Sequence, residues 1–133
     1  MALEAHTRAE RQFFNIGGRP ADMPFTDGVL VNGTLYLSGR IGLDPKTGRA
    51  AADEQTEARL MLDGVRAVLE RAGMTMDDLV FVQVYCTDLS LFEVFNRVYR
   101  TYFSKDFPAR AFLGAASLVL GARFEIQAIA VKS

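Results

Sequence analysis

From Gln55 to Ala72 the apolar residues Ala58, Met61, Leu62, Val65, Val68, Leu69 and Ala72 recur at steps of three and four, which puts them on one stripe of a helix. Gly73 supplies the stop. Gly64 falls inside this helix, where glycine costs up to about 1 kcal/mol relative to alanine, so it marks a close approach to a neighbouring strand. The period then shortens to two. Val80, Val82, Val84 and Cys86 alternate with Phe81, Gln83, Tyr85 and Thr87, the repeat of a strand, and both faces are apolar enough to place it centrally in a sheet.

Upstream, Val29-Leu30-Val31 and Leu35-Tyr36-Leu37 flank Asn32-Gly33, the strongest short-range hairpin signal, which predicts a hairpin over Phe25 to Gly39. Gly42 to Gly48, with Pro45 between turn formers, reads as a loop. Downstream, Ser90 followed by Glu93 matches a capping box and predicts a second helix over Leu91 to Phe103. Pro108 blocks its continuation. Two more strands are expected, near Ala109 to Ala115 and Arg123 to Val131. The order of elements is that of an α+β domain, one sheet with two helices on a single face. The sheet's other face keeps apolar side chains and needs a second copy of the chain to cover it. Residues 1–133 read as a single domain, with 1–22 as a partly mobile N-terminal segment.

Composition narrows the chemistry. The 133 residues are 50% apolar and 23% charged, a balance typical of one compact domain. Cys86 is the single cysteine and His6 the single histidine, so neither an internal disulfide nor the usual Cys/His zinc spacing is available. The longest stretch without charge, Ala111 to Ala122, contains Gly114 and Gly121 and is well short of the roughly 20 residues that cross a bilayer. The first residues mix acid and base without the apolar segment of an export signal, which points to a cytoplasmic protein. A net charge of −1 offers no bulk positive field for nucleic acid.

The chemically informative segment is the tail. Phe107-Pro108-Ala109-Arg110 leads into the uncharged stretch, and Glu125 and Gln127 share the strand face opposite Phe124, Ile126, Ala128 and Ala130. Arg110 and Glu125 either form a structural ion pair or serve a ligand, the guanidinium fork taking a carboxylate through two charge-assisted bonds and Glu125 holding or deprotonating a water. Cys86 lies mid-strand among valines with no histidine near it in sequence, and reads as structural. Tyr85, Phe92, Phe95, Tyr99, Tyr102 and Phe103 read as core or subunit contact rather than as a platform for bases.

Four fragments in order, Ser38-Gly39-Arg40-Ile41, Asp44-Pro45-Lys46-Thr47-Gly48, Phe107-Pro108-Ala109-Arg110 and Glu125-Ile126-Gln127-Ala128-Ile129-Ala130-Val131, resemble the RidA (YjgF/L-PSP) family from about Pro24 to the C-terminus. The resemblance implies a chorismate-mutase-like single mixed sheet with two helices, in which the last strand is inserted between earlier ones, assembled as a homotrimer with clefts between subunits. It implies hydrolysis of 2-imino and enamino acids, the small carboxylate substrates, to 2-keto acids and ammonia, without metal or organic cofactor. Arg110 matches the family's carboxylate-binding arginine and Glu125 the acidic residue beside the reacting carbon. Ser38 and Asn96 match cleft-lining positions, although Ser38 also reads as a locally bonded hydroxyl and Asn96 as a solvent-facing helix residue. Two departures affect the cleft. Phe25 stands where deaminating members carry a tyrosine hydroxyl, and Phe112 stands where a small residue is common; Gln127 also replaces a frequent second glutamate. The alternatives are a carboxylate-binding protein without turnover, which Phe25 favours, and RNA cleavage, which the charge balance opposes.

Overall fold

The computed structural model describes residues 9–17 and 22–133. Six strands form one mixed sheet: β1 (Arg11–Phe14), β2 (Gly28–Val31), β3 (Thr34–Arg40), β4 (Leu79–Cys86), β5 (Ala109–Gly114) and β6 (Phe124–Val131), in the order β1-β2-β3-β6-β4-β5. Helices α1 (Glu54–Arg71) and α2 (Phe92–Arg100) connect β3 to β4 and β4 to β5. β4 and β5 are parallel and all other neighbours antiparallel. The β2–β3 turn places Asn32 and Gly33 at φ 50° and 78°, the left-handed pair that a two-residue hairpin requires.

The apolar stripe of α1 covers Leu35, Leu37, Val82, Val84, Phe124, Ile126, Ala128 and Ala130, all buried. Gly64 meets a strand as its position predicts: a Cβ there would run into the Arg40 side chain of β3. Among the described residues no helix covers the opposite face of the sheet. Tyr36 and Val131 stand 50% and 43% exposed on it, beside a depression of about 170 Å³ lined in part by Phe81, Gln83, Gln127 and Ile129.

A charged link ties the helix layer to the sheet. Glu57 of α1 is completely buried; its carboxylate accepts hydrogen bonds from the backbone N–H groups of Arg123 and Phe124 at 2.7 and 3.1 Å and pairs with the Arg123 guanidinium at 2.6 Å. Arg123 also donates to the carbonyls of Ala51 and Ala52. The start of β6 is thereby fixed to the first turns of α1. Asp27, also buried, accepts from the Ile16 N–H and pairs with Arg40 at 3.2 Å.

Within the N-terminal segment Arg11–Phe14 forms an edge strand on β2. Two details depart from the sequence reading. Ser90 does not cap α2. Asp88 takes both the N–H and the hydroxyl of Ser90, opening a single 3-10 turn at Leu89–Leu91, and α2 starts at Phe92 without a side-chain cap. The helix also ends at Arg100, three residues early, where the Thr101 hydroxyl donates back to the Val98 carbonyl. His6 lies outside the described residues.

Candidate active site

On β5, Arg110 and Phe112 stand in register with Val82 and Val84, both fully buried under the helices, so both side chains point to the helical side of the sheet. There they meet α2, whose Phe92, Phe95, Asn96 and Tyr99 follow the i, i+3, i+4, i+7 spacing of one helix face. The Arg110 Cζ lies 5.7, 5.9, 4.7 and 5.3 Å from the ring centroids of Phe92, Phe95, Tyr99 and Phe112, within cation–π range of all four. No carboxylate pairs with it among the described residues. Burial pushes the Arg110 pKa down, the direction expected when a charge leaves water without a counter-ion, yet a guanidinium keeps its proton. Burial raises the Tyr99 phenol to about 12, against the pull of the Arg110 charge.

Two further polar atoms on this face of α2 lack partners among the described residues. The Asn96 Oδ1 and the Tyr99 hydroxyl are buried without a hydrogen bond, and an unsatisfied buried polar group costs roughly 1–3 kcal/mol. Asn96 is 7% exposed, so it faces the protein interior and not solvent. A cation without an anion and two orphaned polar groups therefore lie between β5 and α2.

Glu125 lies elsewhere. It pairs across the ladder with Tyr85, on the face without helices, and its carboxylate rests on Gly39, where a Cβ would collide with Oε2. Glycine at 39 keeps that space open at a β-bulge between Leu37 and Arg40. The adjoining Ser38 donates its hydroxyl to the Thr26 carbonyl while its N–H donates to the Asp27 carbonyl at 3.0 Å, the local bonding its sequence position allows. Phe25, 43% exposed, directly precedes Thr26. Glu125, Ser38 and the Phe25 segment thus form one group, and Arg110, Asn96 and Phe112 another.

The groups do not meet within one chain. β4 lies between β5 and β6, and the two charges project from opposite faces, which excludes the structural ion pair between Arg110 and Glu125. The remaining candidates have structural roles. Cys86 is buried, its thiol pKa raised by burial and its Sγ donating to the Asp88 carbonyl at 3.1 Å. Tyr102 donates to the Asp63 carboxylate at 2.7 Å. Sequence reasoning missed Tyr99 as the nearest ring to the guanidinium and Gly39 as the seat of Glu125; the spacing of Phe92, Asn96 and Tyr99 was the available signal for the first.

Known proteins share this sequence and fold over most of the chain. Residues 17–132 match the family model described as Endoribonuclease L-PSP. A human protein named 2-iminobutanoate/2-iminopropanoate deaminase is 36% identical over 110 residues, covering 82% of this chain and 80% of its own. The Escherichia coli protein of the same name is 38% identical over 112 residues, covering 82% and 88%. Among solved structures, Escherichia coli TdcF with bound serine superposes with a TM-score of 0.79 at 36% identity, over 85% of this chain and 91% of that one. By motif order, sheet topology and these matches, the chain belongs to the RidA (YjgF/L-PSP) family.

Proposed function

We propose that the protein hydrolyses reactive 2-imino acids to 2-keto acids and ammonia, at a site built from Arg110, Asn96 and Phe112 of one copy and Glu125 and Ser38 of a neighbour in a homotrimer. The observation that carries this reading is the Arg110 guanidinium, half-buried in aromatic rings with no anion beside it among the described residues. A charge in that setting is stabilised by a bound carboxylate, and its planar fork takes one bidentately. The names of the human and Escherichia coli relatives support the imine, and the serine bound to TdcF supports a small carboxylate ligand.

In the proposed reaction Arg110 holds the carboxylate and fixes the plane of the adjoining C=N group. Glu125 accepts a proton from water as the water oxygen bonds to the imine carbon and the π electrons move to nitrogen. Glu125 returns this proton to nitrogen, giving the carbinolamine. The carbinolamine hydroxyl then gives its proton to Glu125 and on to nitrogen as the C–N bond breaks with its electron pair leaving on ammonia, which yields the keto acid. Positioned acid–base assistance contributes about 10²- to 10⁴-fold. The face without helices, with Tyr36, Val131 and the depression beside them, supplies surface for a neighbouring copy.

The test generates an imine in place with a dehydratase acting on threonine and follows its decay by semicarbazide trapping. Addition of the protein is expected to reduce trapped imine in proportion to its concentration. Binding of 2-oxobutanoate with no change in trapping would instead assign the chain to a carboxylate-binding role, the outcome that Phe25, lacking a hydroxyl, favours.

A further inference from the structure

We infer that the acid received at Arg110 carries a large apolar side chain, best a planar aromatic one, so that the fork selects imino and oxo acids derived from aromatic amino acids over three- and four-carbon ones. This rests on the reading of Arg110 as the carboxylate site and goes further, to what lies around it.

The surroundings of the guanidinium are apolar well beyond what its own burial needs. Phe112 meets Phe92 edge to face at 5.0 Å and Phe95 at 5.4 Å. Phe107 stacks on Tyr99, the ring nearest the cation, at 6.2 Å with 20° between the planes. The strip does not close over itself. Phe92 is 39% exposed and Phe107 55%, and Leu89, beside Gly114 at the end of β5, is 57% exposed. A single cation thus sits in a band of exposed apolar surface, which fits an amphiphile with one carboxylate and a hydrophobic body.

A propanoate- or butanoate-sized acid would satisfy the guanidinium and leave those rings in water. A phenyl group two or three bonds from the carboxylate would reach them in the offset or edge-to-face geometries that aromatic pairs prefer. Phe112 is central because it touches both the cation and two of the rings.

The experiment compares 3-phenylpropanoate with butanoate, two unreactive carboxylates, by isothermal titration of the wild-type protein. 3-Phenylpropanoate is expected to bind at least about tenfold more tightly, the scale on which hydrophobic pockets discriminate. F112A should bring the two affinities close together, while F112L, which keeps apolar volume and guards against a folding defect, should retain part of the preference. Equal or tighter binding of butanoate to the wild type overturns the inference while leaving the carboxylate reading intact; a neighbouring copy covering the strip would give this result. Failure of both acids to bind overturns the inference together with the reading beneath it.

Discussion

Arg110→Met is expected to reduce kcat/KM for imine hydrolysis about 10²- to 10³-fold, the scale of losing one partner of a desolvated charged pair, without lowering the thermal midpoint. The two effects separate because Arg110 has no carboxylate partner among the described residues of the chain. Its burial is unfavourable in the unliganded protein, as the lowered pKa indicates. Methionine fills similar space among Phe92, Phe95, Tyr99 and Phe112 without a charge to desolvate. The cation–π attraction given up in exchange is worth roughly 0.5–2 kcal/mol, comparable to the relieved penalty. Imine trapping and thermal unfolding of the same sample measure both. A midpoint several degrees lower would show that the guanidinium serves the scaffold.

The largest loss of stability is expected at Arg123→Ala. Glu57 has no exposed surface and keeps two backbone donors in the variant, but its counter-ion is gone and the Ala51 and Ala52 carbonyls lose their donor. Removing one partner of a buried pair costs about 3–5 kcal/mol. For a chain of this length that corresponds to a fall of roughly 10–15 °C in the midpoint. Glu57→Ala should cost a similar amount, and the double variant less than the two together, because each single change strands the other group. Urea or thermal unfolding of the three variants gives the comparison; additive losses would mean that the pair is not energetically coupled.

Local signals carried much of the fold. The stripe of α1, the alternation of β4 and the Asn32-Gly33 turn depend on neighbouring residues; α1 and β4 lie within one residue of their expected limits, and the hairpin starts three residues later than expected, at Gly28. The sheet order was legible only through the family resemblance. From spacing alone β5 and β6 could pair as a hairpin, whereas β6 instead lies between β3 and β4 and β5 runs parallel to β4, pairings decided by long-range packing. Glu57 was passed over although it lies one turn before Met61 on the apolar stripe; an acid in that position needed a partner 66 residues away. The Ser90 box failed because Asp88, two residues earlier, competes for the same donors.

The candidate site was legible as residue types and not as geometry. Arg110 and Glu125 could be singled out because each is a charge in an apolar strand. Glu125's face followed from the alternation of β6. Arg110's face depended on the parallel register with Val82, which no local pattern contains, and that register separates the two groups within a protomer.

Mixing two inactive variants tests this separation most directly. Arg110→Met and Glu125→Gln proteins, each inactive alone, are unfolded together and refolded as a mixture. If one copy supplies Arg110 and the next Glu125, random assembly leaves about one quarter of the intersubunit sites with both groups intact, and imine hydrolysis should return to about that fraction of the wild-type rate. A mixture as inactive as its components would contradict a site shared between copies.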